Sequence, residues 1–413
     1  MAFSSNLQSQ DLDDINEMMA KSDYKSAKTA IDKYTSNPKK SDDADGFYFK
    51  GRIYNSLSSD STVSINESFQ LKIQAFDAFK QNLQLDKEEM RLKLESYQSF
   101  FMLYFGFYEL GVKYYNTQDY SAAVDAFKKT LELNDFIFSK KYENPQAKLN
   151  KIDTSLILNI AASAIKAKKE DIAVLYYNKL VDYNIGGKDY RDVYLYLIDY
   201  YNKNQDEASY NKILEKSKKM YPNDPTWVDL ELEAINKKGD KNILFAKYEE
   251  LISKDPANFI LQYNYSVELY NSMYGKNANK AGDTVLANKL TETLKKAITN
   301  ESKEDITATV LICNHLYNQS SDILNSAGLI KSNKPEDIKT KNAIKTKANI
   351  LMDECIKYAE IAEQFYQNKT NKTAIQKANY KIILGYLNDM YTVKKNVTKA
   401  SEYENKLSSI DKL

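Results

Sequence analysis

FYELGVKYYNTQDYSAAVDAFKKTLELND, residues 107 to 135, places Phe107 before Leu110-Gly111 and Tyr114, then Ala123 and Phe127, with a turn at Asn134-Asp135. This is the spacing of two antiparallel helices in close contact. Small Gly111 and Ala123 let the helices approach, Leu110 and Phe127 fill the gap, and Tyr114 reaches toward a neighbouring pair. One such pair cannot bury its apolar face alone, so the stretch predicts further pairs along the chain.

Decayed copies flank it. Ile157, Ile160-Ala161, Ala164, Ala173, Tyr177 and Leu180 keep the internal spacing, and Tyr194, Leu197-Ile198, Tyr201, Leu214 and Pro222 follow it more loosely. Val228, Leu232, Ile235, Leu244, Tyr248, Leu251 and Pro256 form another pair, with Gly239-Asp240 at its turn. Toward the N-terminus, Asp23-Tyr24, Ala27 and Ile31 read as a second helix. Phe47, Gly51 and Tyr54 open the next unit, which Ala75, Phe79 and Leu83 close. Leu384-Gly385, Ala400 and Leu407 make a last, degraded copy.

Recurrence at roughly 34 residues is the tetratricopeptide pattern, aromatic-x2-Leu-Gly-x2-Tyr followed by Ala-x3-Phe. The expected fold is all-α, a right-handed α-solenoid of about six to eight tetratricopeptide-like helix pairs. Residues 1–90 are expected to hold N-terminal pairs, 91–275 the central array, and 276–413 C-terminal helices with polar insertions and a capping helix. Insertions at Asn55 to Ser68, Phe138 to Lys151 and Tyr274 to Leu286 interrupt the period.

Composition agrees. Only 11 Gly and 6 Pro occur in 413 residues and long β-branched alternations are missing, which points to a nearly all-helical chain. The 58 basic and 57 acidic residues nearly cancel and are interleaved, so the electrostatic footprint of nucleic-acid binding is missing. The apolar run Tyr97 to Tyr108 is too short to cross a bilayer, which takes about 20 residues. It reads as a solenoid helix packed on all sides, or as one with part of its face left for a partner.

Little points to chemistry. His315 is the only histidine, which removes multi-histidine metal sites and histidine acid–base work, and beside Leu311 and Leu316 it reads as a packing residue. No phosphate-cradling glycine loop or Gly-x-Ser-x-Gly turn is present. Carboxylate pairs such as Glu231/Glu233 and Asp353/Glu354 read as solvated surface. Cys313 and Cys355 lack metal-ligand spacing and read as small buried side chains. No enzyme activity, cofactor or metal is expected.

Binding is therefore the expected role. In stacked helix pairs the first helices line the concave face. Steps of three and four from the packing positions put Tyr48, Arg52, Asn55, Tyr108, Tyr115, Asn116, Lys166, Asp199, Asn202 and Lys203 there, followed by Asn236, Lys237, Tyr263, Tyr270 and Asn271. Tyrosine and asparagine with scattered charge suit an extended protein or peptide segment. The alternatives are a self-assembling structural component and a carbohydrate binder using the aromatic-rich segment.

The order of features resembles one group of tetratricopeptide proteins common in Bacteroidetes such as Flavobacterium. AKSDYKSAKTAIDKY, DADGFYFKGRIYNSL, the middle YPNDPTWVDLELEAINKKGDKNILFAKYEELISKDPANFILQYNYSVELY and the late NYKIILGYLNDMYTVKKNVTKASEYENKL are similar to that group's successive repeats. Glu404 stands where the last repeat would carry its Phe. The resemblance implies an exported, periplasmic or envelope-associated scaffold, with no transmembrane segment and a place in an envelope complex. The stretch Met1 to Asn6 shows neither a basic nor an apolar leader segment, so a cytoplasmic location stays open. In that setting Asp283-Thr284-Val285 is similar to an acceptor for O-linked glycan on Thr284.

Overall fold

The computed structural model describes residues 3–276, 278, 284–332 and 334–410, with side chains from residue 12 onward. Among the described residues the only β pairing is an isolated bridge between Asn144 and Ala147. The chain divides into two compact units, Met1–Asp229 and Leu230–Leu413, each an all-α, tetratricopeptide-like stack of helix pairs.

In the first unit α1 (Phe3–Ala20) is followed by α2 (Tyr24–Thr35), and α3 (Ala44–Leu57) by α4 (Ile65–Leu85). A single turn, α5 (Met90–Leu94), leads to α6 (Gln98–Asn116) and α7 (Tyr120–Lys140). Then come α8 (Thr154–Lys166) with α9 (Glu170–Asp182), and α10 (Arg191–Lys203) with α11 (Glu207–Met220). Helix α12 (Thr226–Lys237) starts in the first unit and ends in the second. The second unit continues with α13 (Lys241–Lys254), α14 (Phe259–Tyr274), α15 (Thr284–Asn300), α16 (Thr307–Leu329), α17 (Pro335–Asn368), α18 (Ala374–Val393) and α19 (Val397–Ser409).

The tight turns inside pairs repeat one device. Ser22, Gln118, Lys168, Gln205 and Lys395 all sit in the left-handed region, with φ of 57°, 64°, 58°, 58° and 59°. In the turn 117–119 the amide of Gln118 donates to Tyr115 O at 3.1 Å and that of Asp119 to Tyr114 O at 2.9 Å, a Schellman closure of α6. The same Asp119 then caps α7, its carboxylate accepting from the Ala122 amide at 3.1 Å. One residue thus ends one helix and begins the next. Asp23, Asp206 and Asn396 repeat both functions.

Close packing follows from glycine. A Cβ on Gly111 would lie 2.5 Å from the Phe127 ring, and one on Gly51 would lie 2.6 Å from the Phe79 ring. Both rings are buried, so each pair closes on the same knob. Tyr114 reaches the preceding pair as the spacing predicts, its hydroxyl donating to Asn66 Oδ1 at 2.8 Å.

Tyrosine is the main staple between neighbours. Tyr54 donates to Asp32 at 2.5 Å, Tyr104 to Asp153 at 2.5 Å and Tyr265 to Glu249 at 2.6 Å. Each ring supplies buried area while its hydroxyl satisfies a carboxylate at the edge, which gives many of the 33 tyrosines a structural reason. Of the expected insertions, residues 58–64 form the loop between α3 and α4. The stretch 138–151 starts as the end of α7 and then folds back so that Tyr142 stacks on Tyr97 at 3.8 Å. The stretch 274–286 includes residues 277 and 279–283, which lie outside the described residues.

In the second unit His315 is fully buried. Thr291 donates its hydroxyl to Ala287 O at 2.9 Å and so accepts from His315 Nε2 at 2.9 Å, leaving Nδ1 to accept from Tyr274 at 3.0 Å. It is a satisfied packing residue. Cys313 and Cys355 are buried free thiols, with Cys355 Sγ donating to Cys313 O at 3.4 Å. Among the described residues no helix is long and apolar enough to cross a membrane.

Candidate partner groove in the first unit

Helix α6 is apolar around its N-terminal two-thirds, yet it is not packed on all sides. Phe100, Leu103, Tyr104 and Phe107 are buried, whereas Met102 and Phe105 are 53% and 48% exposed. The expectation of an all-round buried helix is corrected here. Helix α6 packs on α4 of the preceding pair, on α7 of its own and, through Tyr104 and Tyr108, on the following α8, while Met102 and Phe105 stay exposed.

These two side chains border a cavity of about 640 Å³ whose other walls are Tyr24, the α3 end at Asn55 and Ser56, and the loop at Ser59 and Asp60. Its floor is Lys72. This residue belongs to α4, a second helix, and its aliphatic stem reaches both α3 and α6. The ammonium donates to Asn55 Oδ1 at 3.0 Å, and a Cβ on Gly106 would lie 2.3 Å from Nζ. Gly106 is therefore a notch that admits the lysine head.

Lys72 is only 5% exposed. Burial pushes its pKa down to about 8, with Lys113 acting in the same direction and the Glu109 carboxylate opposing them. An ammonium carries three donors, and Asn55 takes one. No carboxylate among the described residues lies within ion-pair distance of it. A buried cation without a close counter-ion is costly, and an acceptor arriving from the cavity would relieve that cost.

A larger cavity of about 830 Å³ in the second unit is built differently. It lies against α13, α14 and α15, and Lys289 and Tyr265 both donate to Glu249 at 2.6 Å. None of the charged side chains lining it is buried as Lys72 is.

Of the residues expected on the binding face, only Asn55 meets this groove, and it does so buried, as the acceptor for Lys72. Tyr48 is 5% exposed, its hydroxyl donating to Glu95 at 2.9 Å, with burial pushing its pKa up to about 12. Exposed Arg52 covers the Tyr48 ring at 5.8 Å. Tyr108 is half-buried and accepts from Asn159 at 3.3 Å, while half-buried Tyr115 packs edge-on against Tyr120 of its own pair at 5.2 Å. Asn116, Lys166 and Asn202 are exposed, and exposed Asp199 and Lys203 pair with each other at 2.6 Å.

In the second unit Asn236 accepts from Lys241 at 2.9 Å and Lys237 pairs with Glu233 at 2.9 Å. Tyr263 stacks on Phe259 at 5.7 Å, Tyr270 accepts from Asn318 at 3.0 Å, and Asn271 is exposed. Thr284 is the exposed first residue of α15, while Asp283 lies outside the described residues. The carboxylates weighed for chemistry are ion-paired: Glu231 with Lys247 at 3.2 Å, Asp353 with Lys394 at 2.7 Å and Glu354 with Lys295 at 2.5 Å.

No protein-family model and no curated protein matches this chain. Among solved structures it is similar to the apo form of the quorum sensor NprR from B. thuringiensis, at 11% identity over 97% of this chain and 98% of that one, TM-score 0.22. The APC/C hetero-tetramer Cut9-Hcn1 matches at 12% identity over 96% of this chain and 86% of that one, TM-score 0.22. A circular tandem repeat protein matches at 10% identity over 99% and 89%, TM-score 0.18. The functional reading rests on this chain's own packing and groove.

Proposed function

We propose that the chain is a non-catalytic scaffold that binds a protein or peptide segment along the first helices of its first unit. The observation that carries this reading is the combination at α6: two exposed apolar side chains, Met102 and Phe105, beside a buried lysine that lacks a close counter-ion. Apolar contact area next to one fixed polar group is the usual composition of a recognition site. An envelope setting is part of the proposal and rests on the resemblance of the repeats, as does glycan attachment at Thr284.

The test is capture from separated envelope and cytoplasmic fractions of the source cells, comparing wild type with the folded double variant Met102→Ser/Phe105→Ser. Removing about 100 Å² or more of apolar contact should weaken a groove partner at least tenfold. A protein retained by wild type and lost by the variant supports the reading and reveals the compartment. Equal recovery by both overturns it.

A further inference from the structure

The floor and rim of this groove carry opposite charges, and that pattern specifies a ligand more narrowly than its being a peptide. Lys72 lies at the bottom with one donor directed to Asn55. Asp60 and Glu109 stand among the lining residues nearer solvent. The Asp60 carboxylate accepts from the Thr62 amide at 2.8 Å and hydroxyl at 2.7 Å, which fixes its position. Met102 and Phe105 provide apolar surface on the α6 side.

An acceptor that reaches Lys72 enters a cavity that two carboxylates, Asp60 and Glu109, also line. A run of acidic residues would be repelled at the rim, whereas a single carboxylate flanked by a basic residue would match both levels. The successive first helices α3 and α6 both border the groove, through Asn55 and Ser56 on one and Met102 and Phe105 on the other. An extended segment laid along those two helices crosses the groove rather than ending in it.

We infer that the Lys72 groove is a subsite for an internal acidic side chain of an extended peptide, with an apolar residue next to it on Met102 and Phe105 and a basic residue nearby facing Asp60 and Glu109. This rests on the peptide-binding reading above. Lys72 supplies a charge-assisted hydrogen bond, Asn55 holds its head in place, and Gly106 leaves room for it.

The experiment is selection from a random library of eight-residue peptides, acetylated and amidated, on the full chain and on two variants. Lys72→Met removes the buried charge while keeping the stem, a change that folded proteins tolerate well. Gly106→Ala moves only the mobile lysine head, because the atoms that the new methyl meets belong to the end of that side chain. Wild type is expected to enrich peptides with an apolar–acidic pair and a nearby base, and both variants to bind those peptides at least about tenfold more weakly. Exchange of the acidic residue for its amide should weaken wild type equally and leave Lys72→Met unmoved.

If wild type and Lys72→Met enrich the same peptides, the subsite is wrong while the peptide groove stands. If a parallel library with free C-termini is enriched and the blocked one is not, the internal carboxylate is wrong. If neither library is enriched, both the subsite and the peptide-binding reading fall.

Discussion

Gly111 of α6 faces the Phe127 ring of α7 so closely that a Cβ would lie 2.5 Å from both Cδ1 and Cε1. The ring is 2% exposed and held by the pair around it, so it has nowhere to go. Gly111→Leu should overpack this contact and cost about 1–3 kcal/mol or more. Trp227, the only tryptophan and 1% exposed, gives a single fluorescence signal of unfolding. A urea midpoint equal to wild type by Trp227 fluorescence would remove the Gly–Phe knob as the basis of the pair.

Gln118 illustrates the reverse case. At φ 64° it occupies a conformation that costs an L-residue roughly 1 kcal/mol and a glycine much less. Gln118→Gly should leave the fold unchanged and raise stability by about 0.5 kcal/mol, net of the added chain entropy. The same urea experiment reads it. A loss of stability would mean that the Gln118 side chain contributes something the turn geometry does not require.

Tyr104→Phe deletes the hydroxyl that donates to Asp153, the residue whose other oxygen caps α8 by accepting from the Leu156 amide at 2.9 Å. Burial and the neighbouring Asp153 carboxylate push the Tyr104 pKa well above the usual tyrosine range. Truncating one member of a charge-assisted pair should cost about 1.5–3 kcal/mol. Slowed amide exchange at the start of α8, rather than the expected faster exchange, would contradict the coupling of the two pairs through this bond.

Two titrations give pH dependence of known sign. Lys72 has a folded pKa lowered to about 8 from the ordinary 10.5, so between those values the unfolded chain binds the extra proton and stability rises with pH. From pH 8 to 10 the stability of wild type relative to Lys72→Met should climb by about 1–3 kcal/mol, with Glu109 and Lys113 common to both. His315 is lowered to about 4 from 6.5, chiefly by burial, so its contribution falls as pH drops from 6.5 toward 4. As the only histidine it gives one ring resonance, which should stay neutral at pH 5.5. A midpoint near 6.5 would place the ring in water.

Repeat spacing is a packing signal, and packing is what it recovered. The pair around Gly111 and Phe127 and the reach of Tyr114 were legible because each is forced by helix contact, whereas the turn expected at Asn134-Asp135 is corrected: α7 runs on to Lys140, and Asn134 is buried inside it with its side chain donating to Asn150 O at 3.2 Å. The groove was not. Lys72 sits in an amphipathic helix among other charges, where a lysine reads as solvated. The available signal was Gly106, a mid-helix glycine outside the repeat pattern, costing about 1 kcal/mol against alanine unless something needs the space. Tyr48 and Asn55 were assigned to the open face by counting along α3, but the neighbouring pair and Lys72 cover that part of the helix. Periodicity gives the direction of a side chain and says nothing about which neighbour arrives to bury it.

The most direct test of the groove as the working surface is site-specific photocrosslinking in source cells. A photoreactive residue at Met102, exposed in the groove, is compared with one at Leu175, 55% exposed on the second helix α9. The account predicts a discrete crosslinked partner from position 102 that disappears in the Lys72→Met background, and none from position 175. The same partner from both positions, or from position 175 alone, would contradict it.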